Sequence, residues 1–436
     1  MIYNRQYETM SRDDLAQLQI ERLQTMLNRV YRNVAFYKHA LDTQRVEIEN
    51  IRTLDDLKRL PFTTKDDLRA SYPYDMFALP LRDVVRIHAS SGTTGRPIVV
   101  GYSKNDILHW SELVARQLVA AGLTEHDVAQ IAFTYSLFTG GLGYHFGAEK
   151  LGASVIPASS HDNLNDQLLI MKDFKTSALL CAPSTALALC HLFKTTGIHP
   201  EQLSLRCAIL GSEPWSERVR AEIEETFRIT AYDNYGLTEI IGPGVSGECQ
   251  QRNGLHINED HFIVEVISPT TLQPVKMGEE GELVFTTITK EAFPLIRYRT
   301  GDRACLMDGC CECGRTFVRM SRVHGRTDDM IIMHGAKFFP SQVYDAIVGE
   351  EGITSHCKIV LDHQGDFDTL EVCVAIAANH GYIDEIKTLE QLRNRLAQRI
   401  ENSLGVSAKV TFMEDGLLAA EVKGKKQPMV VDKRAA

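Results

Sequence analysis

Residues 90–97 read Ser-Ser-Gly-Thr-Thr-Gly-Arg-Pro, between apolar segments at 84–87 and 98–100. Glycine lets the backbone approach a ligand closely, and exposed amides and hydroxyls bind phosphate oxygens. The stretch therefore predicts a phosphate-binding loop, with a polar turn between two strands as the alternative. It lacks the Lys-Ser/Thr ending of the Walker pattern, and no G-x-G-x-x-G follows. A nucleotide phosphate is suggested, but neither a P-loop NTPase nor a dinucleotide fold.

The bulk composition limits the class of protein. At 436 residues the chain is expected to form two or three domains, and 44% hydrophobic and 24% charged residues are typical of globular proteins. The net charge of −10, without a long basic run, argues against a nucleic-acid partner. No signal-peptide core or 18-residue apolar run is present, so we expect a cytoplasmic protein without a membrane partner. Its ten cysteines are then expected as buried thiols or metal ligands.

The pattern of apolar segments predicts an α/β fold. From about residue 80 to 240, short apolar strands alternate with helical patterns, which favours layers around a largely parallel sheet. The expected strands there are Val128–Tyr135, Ala153–Pro157, Ala178–Ala182 and Arg206–Leu210. A β-rich texture follows, with strands at Phe262–Ile267, Gly281–Thr287 and Tyr298–Leu306. A last segment from about 329 mixes strands and helices and has the size of a small α+β domain.

Two helix starts are predicted near the N-terminus. Ser11 is expected to cap an amphipathic helix whose apolar face is Ala16, Ile20, Leu23, Leu27, Val30 and Val34. A turn at Pro61 is followed by a second helix, capped by Thr63 or Thr64.

Two short motifs carry groups that suit a nucleotide. Residues 235–239 read Tyr-Gly-Leu-Thr-Glu and follow a β-like stretch at 229–232. Their aromatic ring can stack on a base, the hydroxyl can contact a phosphate, and the carboxylate can hold Mg²⁺. Residues 298–302 read Tyr-Arg-Thr-Gly-Asp and are expected to end a strand at a glycine turn. The Asp there can accept hydrogen bonds from ribose hydroxyls.

The order of these motifs resembles the adenylate-forming superfamily, with Gly-Arg-Thr-Asp-Asp at 325–329 as the last of them. Within it, the chain is most similar to the phenylacetate–CoA ligase family. The segments that carry this closer resemblance are 33–37, 61–69, 211–215 and 339–342. The resemblance covers nearly the whole chain.

The resemblance implies a two-step reaction that uses ATP, Mg²⁺ and CoA. A carboxylate attacks the α-phosphorus of ATP and displaces pyrophosphate, and the CoA thiol then opens the acyl-adenylate. The leading substrate class is an arylacetate such as phenylacetate. Two alternatives stay open: transfer of the acyl group to a carrier protein or another acceptor, and a non-catalytic protein that binds a nucleotide or metabolite. A homodimer is the family-based expectation.

The resemblance also assigns nucleotide-binding residues. The β- and γ-phosphates would lie against Ser90, Ser91, Gly92, Thr93, Thr94 and Gly95. The adenine slot would be lined by Gly211, Ser212, Glu213 and Pro214, and Tyr235 would stack on the base beside Asp233, Asn234 and Gly236. Thr238 would bind the α-phosphate, Glu239 the Mg²⁺, and Asp302 with Arg326 the ribose.

The catalytic lysine and the hinge are expected near the C-terminus by the same resemblance. Counting back from Asp432 without gaps selects Lys426, whereas matching the Gly-Lys pair selects Lys425. Asp328 corresponds to the hinge about which the C-terminal domain would rotate. The expected domains are therefore a large adenylation domain over 1–328, β-rich at about 250–325, and a small mobile α+β domain over 329–436.

A zinc site and an acyl pocket complete the expectations. Cys311 and Cys313 resemble a family turn in which Glu312 replaces a proline, and Cys249 and His256 also resemble family positions. Four such ligands would form a closed, structural Zn²⁺ site. Cys310 could replace one of these ligands. The alternative interpretation is that the cysteines are free buried thiols without a metal. The acyl pocket is expected in segment 133–143, with the following residues as its walls: Tyr135, Phe138, Gly141, Ala182, Pro183 and Pro243.

Overall fold

The computed structural model describes residues 1–90, 97–159, 164–327, 331–333, 336–350, 352–364, 367–376, 386–422 and 429–434. The helices in these residues are α1 (Arg5–Glu8), α2 (Arg12–Asn33), α3 (Ala35–Thr43), α4 (Lys65–Ala70), α5 (Lys104–Ala120), α6 (Gly140–Leu151), α7 (Leu164–Asp173), α8 (Pro183–Phe193), α9 (Glu217–Phe227), α10 (Pro340–Ile347), α11 (Ile386–Leu404) and α12 (Asp415–Val422). Short 3₁₀ turns lie at Ile48–Asn50, Leu54–Arg59, Leu81–Asp83 and Pro200–Gln202.

The strands in the described residues are β1 (Arg86–Ala89), β2 (Val99–Tyr102), β3 (Val128–Ile131), β4 (Ser154–Ile156), β5 (Ala178–Cys181), β6 (Cys207–Gly211), β7 (Thr230–Leu237), β8 (Gly242–Glu248), β9 (Leu255–Ile257), β10 (Phe262–Ile267), β11 (Gly281–Thr287), β12 (Tyr298–Ala304), β13 (Leu306–Met307), β14 (Arg319–Met320), β15 (Gly325–Arg326), β16 (Ile331–Met333), β17 (Ala336–Phe338), β18 (Ile353–Gln364), β19 (Phe367–Ile376), β20 (Lys409–Glu414) and β21 (Met429–Asp432). No helix in the described residues is long and apolar enough to cross a membrane.

The main sheet joins nine of the described strands in the order β13-β14-β9-β8-β7-β6-β5-β3-β4. The half from β4 to β7 is parallel, whereas the pairs from β7 through β8, β9 and β14 to β13 are antiparallel. The α/β prediction is confirmed, but the sheet is parallel in one half only. Residues 238–241 join β7 to β8, and a connection this short permits only antiparallel pairing.

The β-rich part forms a second sheet, which is antiparallel in the order β10-β11-β12-β15. Its strands β10 and β11 have the predicted bounds. The predicted strand Tyr298–Leu306 agrees with β12 to within two residues. The expectation that this strand ends at a glycine turn at Gly301 is wrong, because β12 continues through that residue. Gly301 has φ +77°, and the pairing of β11 with β12 shifts register between Glu282 and Val284. An irregular strand of this kind suits glycine because its backbone reaches positive φ without strain.

The N-terminal helices differ from expectation in one detail. The Ser11 side chain accepts from the Asp14 amide and caps α2, as predicted. The buried face begins at Leu15 and Gln19 rather than at Ala16 and Ile20. The apolar pattern could not indicate this face, because one of its members, Gln19, is polar. Its side-chain amide is buried and donates 2.9 Å to the Glu259 carbonyl.

The cap of α4 is Thr64, whose side chain accepts from the Asp67 amide. Thr63 instead forms an isolated bridge with Tyr298 at the start of β12, and its hydroxyl contacts Tyr37 at 2.9 Å. The pairing of Thr63 fastens the start of α4 to the sheet that carries Asp302.

The C-terminal part forms its own mixed sheet, in the order β20-β19-β18-β21. Its central pair is antiparallel, and the outer strands are parallel to their neighbours. Buried residues of this sheet pack on α10 and α11, which gives a small α+β domain with its own core. Val348 packs against the core of the large domain near Trp215, and Tyr344 packs against both cores, so α10 lies at the contact between the two.

Candidate active site

Three of the predicted nucleotide motifs meet at Asp302. The Tyr235 hydroxyl, from β7, donates 2.8 Å to one oxygen of the Asp302 carboxylate. Arg326, from β15, donates 2.6 Å to the other oxygen. Strand pairing places Asp302 directly opposite Arg326. Residues that are far apart in the sequence therefore surround one carboxylate.

The phenol of Tyr235 keeps its proton in this position. Burial raises its pKa well above the usual value, and the neighbouring Asp302 carboxylate raises it further. The ring stacks on Phe285 at a centroid distance of 6.2 Å and an angle of 27°. Tyr235 thus presents an aromatic ring that is fixed both at its hydroxyl and on one face.

Thr238 and Glu239 lie in the turn between β7 and β8. The Thr238 hydroxyl is 3.2 Å from that of Thr139, just before α6. Burial raises the pKa of the Glu239 carboxyl, and its own backbone hydrogen bond and the positive charge of Lys65 oppose that rise. A buried carboxylate of this kind fits a divalent cation, because a cation offsets the cost of keeping the group ionised. Sequence reasoning gave no role to Lys65, which lies in a landmark segment of the family.

The base of the predicted phosphate loop is closed by Ser90. Its amide donates 2.9 Å to the Ile98 carbonyl, and its hydroxyl accepts 3.0 Å from the Ile98 amide. The strands on either side, β1 and β2, pair antiparallel. Other predicted site residues lie outside the described residues: Ser91, Gly92, Thr93, Thr94, Gly95, Asp328, Lys425 and Lys426.

The predicted adenine slot begins at the end of β6. A Cβ added to Gly211 would meet the Asn234 carbonyl at 2.5 Å, so these two strands approach closely here. The next residue, Ser212, has φ +73°. The Glu213 carboxylate accepts from the amide of Ser184 at 3.2 Å and from its hydroxyl at 3.0 Å. Glu213 therefore caps α8, and burial raises its pKa.

Asp233 and Asn234 both have protein partners. Asn234 donates to the Gln117 side chain, and Asp233 accepts 2.8 Å from Arg322. Arg322 also donates 2.5 Å to the Trp215 carbonyl and lies 4.4 Å from the centroid of that ring. No sequence signal pointed to Arg322, because its partners Asp233, Trp215 and Glu217 lie 89, 107 and 105 residues away along the chain.

The predicted acyl segment runs into the start of α6. A Cβ added to Gly141 would meet the Thr134 carbonyl at 2.8 Å and the Tyr135 ring at 3.3 Å. A Cβ on Gly143 would meet Pro243 at 2.6 Å. The remaining wall candidates are Phe138, whose ring would meet a Cβ on Gly140 at 2.6 Å, and Ala182 and Pro183 at the start of α8.

His145 has partners on both ring nitrogens. Its Nδ1 lies 3.2 Å from the Tyr135 hydroxyl, and its Nε2 lies 3.2 Å from Glu149. These contacts orient the Tyr135 side chain from the α6 side. His145 is therefore a hydrogen-bonded structural histidine in this arrangement.

The Cys and His residues predicted as metal ligands converge. One ligand atom each from Cys249, His256, Cys311 and Cys313 lies within 4.8 Å of all the others. Cys249 Sγ lies 3.7 Å from Cys311 Sγ, and Cys313 Sγ lies 3.4 Å from His256 Nε2. Three thiols and one imidazole at this spacing are a donor set that suits tetrahedral zinc. Cys310 is exposed and lies outside this set.

Comparison with known proteins agrees with this geometry. Residues 15–289 match the family model for AMP-binding enzymes, and residues 335–434 match that for the AMP-binding enzyme C-terminal domain. A phenylacetate-coenzyme A ligase of Thermus thermophilus is 44% identical over 446 residues, which covers 100% of both chains. The chain belongs to the phenylacetate–CoA ligase family of AMP-binding enzymes. A phenylacetate-coenzyme A ligase of Escherichia coli is also 44% identical, over 94% of this chain and 93% of the relative.

Solved structures support the same fold and class. A 2-hydroxyisobutyryl-CoA ligase in the postadenylation state superposes with a TM-score of 0.89 at 25% identity, covering 99% of this chain and 92% of that one. The same ligase in the thioesterification state superposes with a TM-score of 0.74 at 26% identity, with the same coverage of both chains. The fold class and the family resemblance are confirmed, and this member of the family is an AMP-forming acid–CoA ligase.

Proposed function

We propose that this enzyme activates an aryl carboxylic acid, phenylacetate or a related arylacetate, and transfers it to CoA. ATP and the acid give an acyl-adenylate and pyrophosphate, and CoA then displaces AMP to give the thioester. The observation that carries this proposal is the similarity, over nearly the full chain, to four proteins named phenylacetate-coenzyme A ligase, at 41–44% identity.

The nucleotide is proposed to bind where the three motifs meet. Tyr235 offers a ring face to adenine, and Asp302, held by Arg326, offers carboxylate oxygens to the ribose hydroxyls. Thr238 directly follows the end of β7, three residues after Tyr235, and would contact the α-phosphate. The loop at 90–95 would hold the departing pyrophosphate. This division of roles is supported by the contacts around Asp302.

Glu239 is proposed to hold Mg²⁺, which would neutralise phosphate charge during adenylation. Its buried position beside Lys65 and Arg326 supports this role. The chemistry needs alignment and charge stabilisation more than a protein nucleophile. Lys425 or Lys426 is proposed to supply the mobile positive charge at the reacting carboxylate, with Asp328 as the hinge between the two half-reactions.

The two TM-scores support a proposal about conformation. Because this chain superposes better on the postadenylation state than on the thioesterification state of one ligase, we propose that α10 and its neighbours adopt the adenylation-side arrangement. The packing of Tyr344 and Val348 against the large-domain core near Trp215 belongs to that arrangement. Rotation about Asp328 would break it before CoA reacts.

The Cys249, His256, Cys311 and Cys313 cluster is proposed as a structural zinc site. Four protein ligands would leave no open position for a substrate, so the metal would stabilise the fold rather than take part in the reaction. A homodimer, with a cytoplasmic location, remains the family-based proposal for the assembly. Light scattering on the purified chain gives the oligomeric state directly.

A substrate screen tests the proposed function. Pyrophosphate release is measured with aryl, hydroxyaryl and aliphatic acids, with and without CoA, alongside thermal shifts. Highest activity with arylacetates, and thioester formation only when CoA is present, supports the proposal. Equal activity with short aliphatic acids would overturn the substrate class, and transfer to a carrier protein in preference to CoA would favour the other acceptor.

A further inference from the structure

Three backbone carbonyls just after Thr238 and Glu239 each accept a hydrogen bond from a different buried side chain. Lys290 Nζ donates 3.0 Å to the Ile240 carbonyl, and the Tyr102 hydroxyl donates 2.9 Å to that of Ile241. Trp110 Nε1 donates 2.7 Å to the Pro243 carbonyl. We call Lys290, Tyr102 and Trp110 the carbonyl clamp. Its members come from three separate segments: the loop after β11, strand β2 and helix α5.

The clamp residues also pack on one another. The Lys290 ammonium lies 3.8 Å from the centroid of the Tyr102 ring. Tyr102 stacks on Trp110 with centroids 5.0 Å apart and an angle of 19°. His88 meets both rings edge-on, at 5.4 and 5.6 Å. A cation over a stacked aromatic pair is a rigid arrangement, because moving any one member breaks contacts of the others.

The turn that the clamp holds has little freedom of its own. Gly242 has φ +100°, and a Cβ added there would meet Trp110 at 2.7 Å and Thr139 at 2.8 Å. Buried carbonyls without partners are costly, and the connection between β7 and β8 is too short to pair them all within the sheet. The clamp therefore fixes the turn in which Thr238 and Glu239 lie.

The same cluster reaches two other loops of the site. His88 lies in β1, two residues before Ser90, and its Nδ1 is 3.0 Å from the Leu137 carbonyl. The amide of the next residue, Ala89, donates 3.0 Å to that same carbonyl. The base of the phosphate loop, the acyl segment and the Thr238–Glu239 turn thus meet on one buried cluster.

A lysine at the centre of this cluster needs an explanation. Burying an ammonium costs stability compared with an apolar side chain of similar size. Burial lowers the pKa of Lys290 to about 7, and the Asp106 carboxylate opposes that shift. Packing alone would favour methionine or leucine here. What the lysine adds is a donor for the Ile240 carbonyl.

We propose that Lys290 is a positioning residue for adenylation, acting through the backbone of the Thr238–Glu239 turn. With Tyr102 and Trp110 it holds Thr238 and Glu239 at the orientation that the metal–nucleotide complex requires. The inference rests on the proposed function, in which those two side chains contact the α-phosphate and the metal. Lys290 itself does not touch the substrate.

The test compares Lys290→Met with wild type and with Lys276→Met, a control at an exposed lysine of the same domain. Phenylacetate-dependent ATP–pyrophosphate exchange is measured per active site, together with KM for each substrate and the Mg²⁺ concentration for half-maximal rate. We expect kcat to fall about tenfold or more and the Mg²⁺ requirement to rise, while KM for phenylacetate stays within about twofold. Lys276→Met should match wild type.

The outcomes separate this inference from the proposed function. If wild type shows no exchange with any carboxylic acid, the proposed function fails. If wild type exchanges and folded Lys290→Met has the same kcat and Mg²⁺ requirement, the positioning role is overturned, even where its Tm falls. If Lys290→Met does not fold, the test uses Tyr102→Phe, which removes only the hydroxyl donor. A reduced kcat at near-native Tm supports the positioning role of the clamp, whereas an unchanged kcat overturns it.

Discussion

The Tyr235 hydroxyl lies 2.8 Å from the Asp302 carboxylate, and this contact joins the main sheet to the second sheet where the nucleotide is proposed to bind. Arg326 occupies the other carboxylate oxygen at 2.6 Å. The charge of Asp302 is thereby balanced and its orientation fixed before any nucleotide binds. We propose that this oriented carboxylate accepts hydrogen bonds from the ribose hydroxyls.

Replacing Asp302 by alanine should weaken ATP binding by about 1.5–3 kcal/mol for each ribose hydrogen bond that is lost, since this is the usual contribution of a hydrogen bond to a charged group. Isothermal titration with ATP measures the change. Asp42→Ala is the matched control, since Asp42 accepts from Tyr31 at 2.9 Å in a similar pair on the protein surface. An unchanged ATP dissociation constant in Asp302→Ala would exclude the ribose-binding role.

Purified enzyme should contain one zinc ion per chain, held by Cys249, His256, Cys311 and Cys313. Cys313→Ser should lower both the zinc content and Tm, because a missing ligand opens the tetrahedral site. Cys310→Ser should change neither, since Cys310 is exposed and outside the ligand set. Metal analysis and thermal unfolding give the two values. Native Tm in chelator-treated, zinc-free protein would show that the thiols pack without metal.

Gly141→Ala should impair use of the carboxylic acid. The added methyl group would meet the Thr134 carbonyl at 2.8 Å and the Tyr135 ring at 3.3 Å, so the pocket wall must shift. Initial rates should show a raised KM for phenylacetate, with KM for ATP nearly unchanged. Gly416→Ala is the control, because a Cβ at that helical position meets no atom of the described residues within 4 Å. Equal changes in both KM values would argue against a local effect on the pocket.

Lys290 should make stability depend on pH. Its pKa is about 7 in the folded protein, against about 10.4 when unfolded, so the unfolded chain binds an extra proton between these values. Stability of wild type relative to Lys290→Met should therefore rise as pH increases from 7 toward 10, and stay level below 7. Urea unfolding of both proteins at pH 6, 7.5 and 9 measures this difference. A difference that is constant across the range would mean that Lys290 is not buried as a perturbed lysine.

Much of the fold could be predicted because the decisive patterns are local. The β-rich texture after residue 261 predicted β10 and β11 with the correct ends. The conformation at Gly301 could not be predicted correctly. A glycine in a turn and a glycine in an irregular strand have the same sequence signature unless the partner strand is known. The same limit applied to Thr63, whose pairing with Tyr298 depends on residues more than 200 positions away.

The candidate site shows the same division. Tyr235, Asp302 and Arg326 were found by their motifs, but their mutual contacts span as many as 67 residues of sequence. No sequence motif indicated the carbonyl clamp, since the segments around Lys290, Tyr102 and Trp110 have no distinctive pattern. Only folding brings their donors to the carbonyls of one turn.

Adenylation of an arylacetate followed by transfer to CoA can be tested by following all products of one reaction. Enzyme, Mg²⁺, ATP and phenylacetate are mixed, first without and then with CoA, and nucleotides and thioester are quantified together. We predict isotope exchange between ATP and pyrophosphate without CoA, then equal amounts of AMP, pyrophosphate and phenylacetyl-CoA once CoA is added. Formation of ADP and phosphate, or of no thioester with phenylacetate, would rule out an AMP-forming arylacetate–CoA ligase.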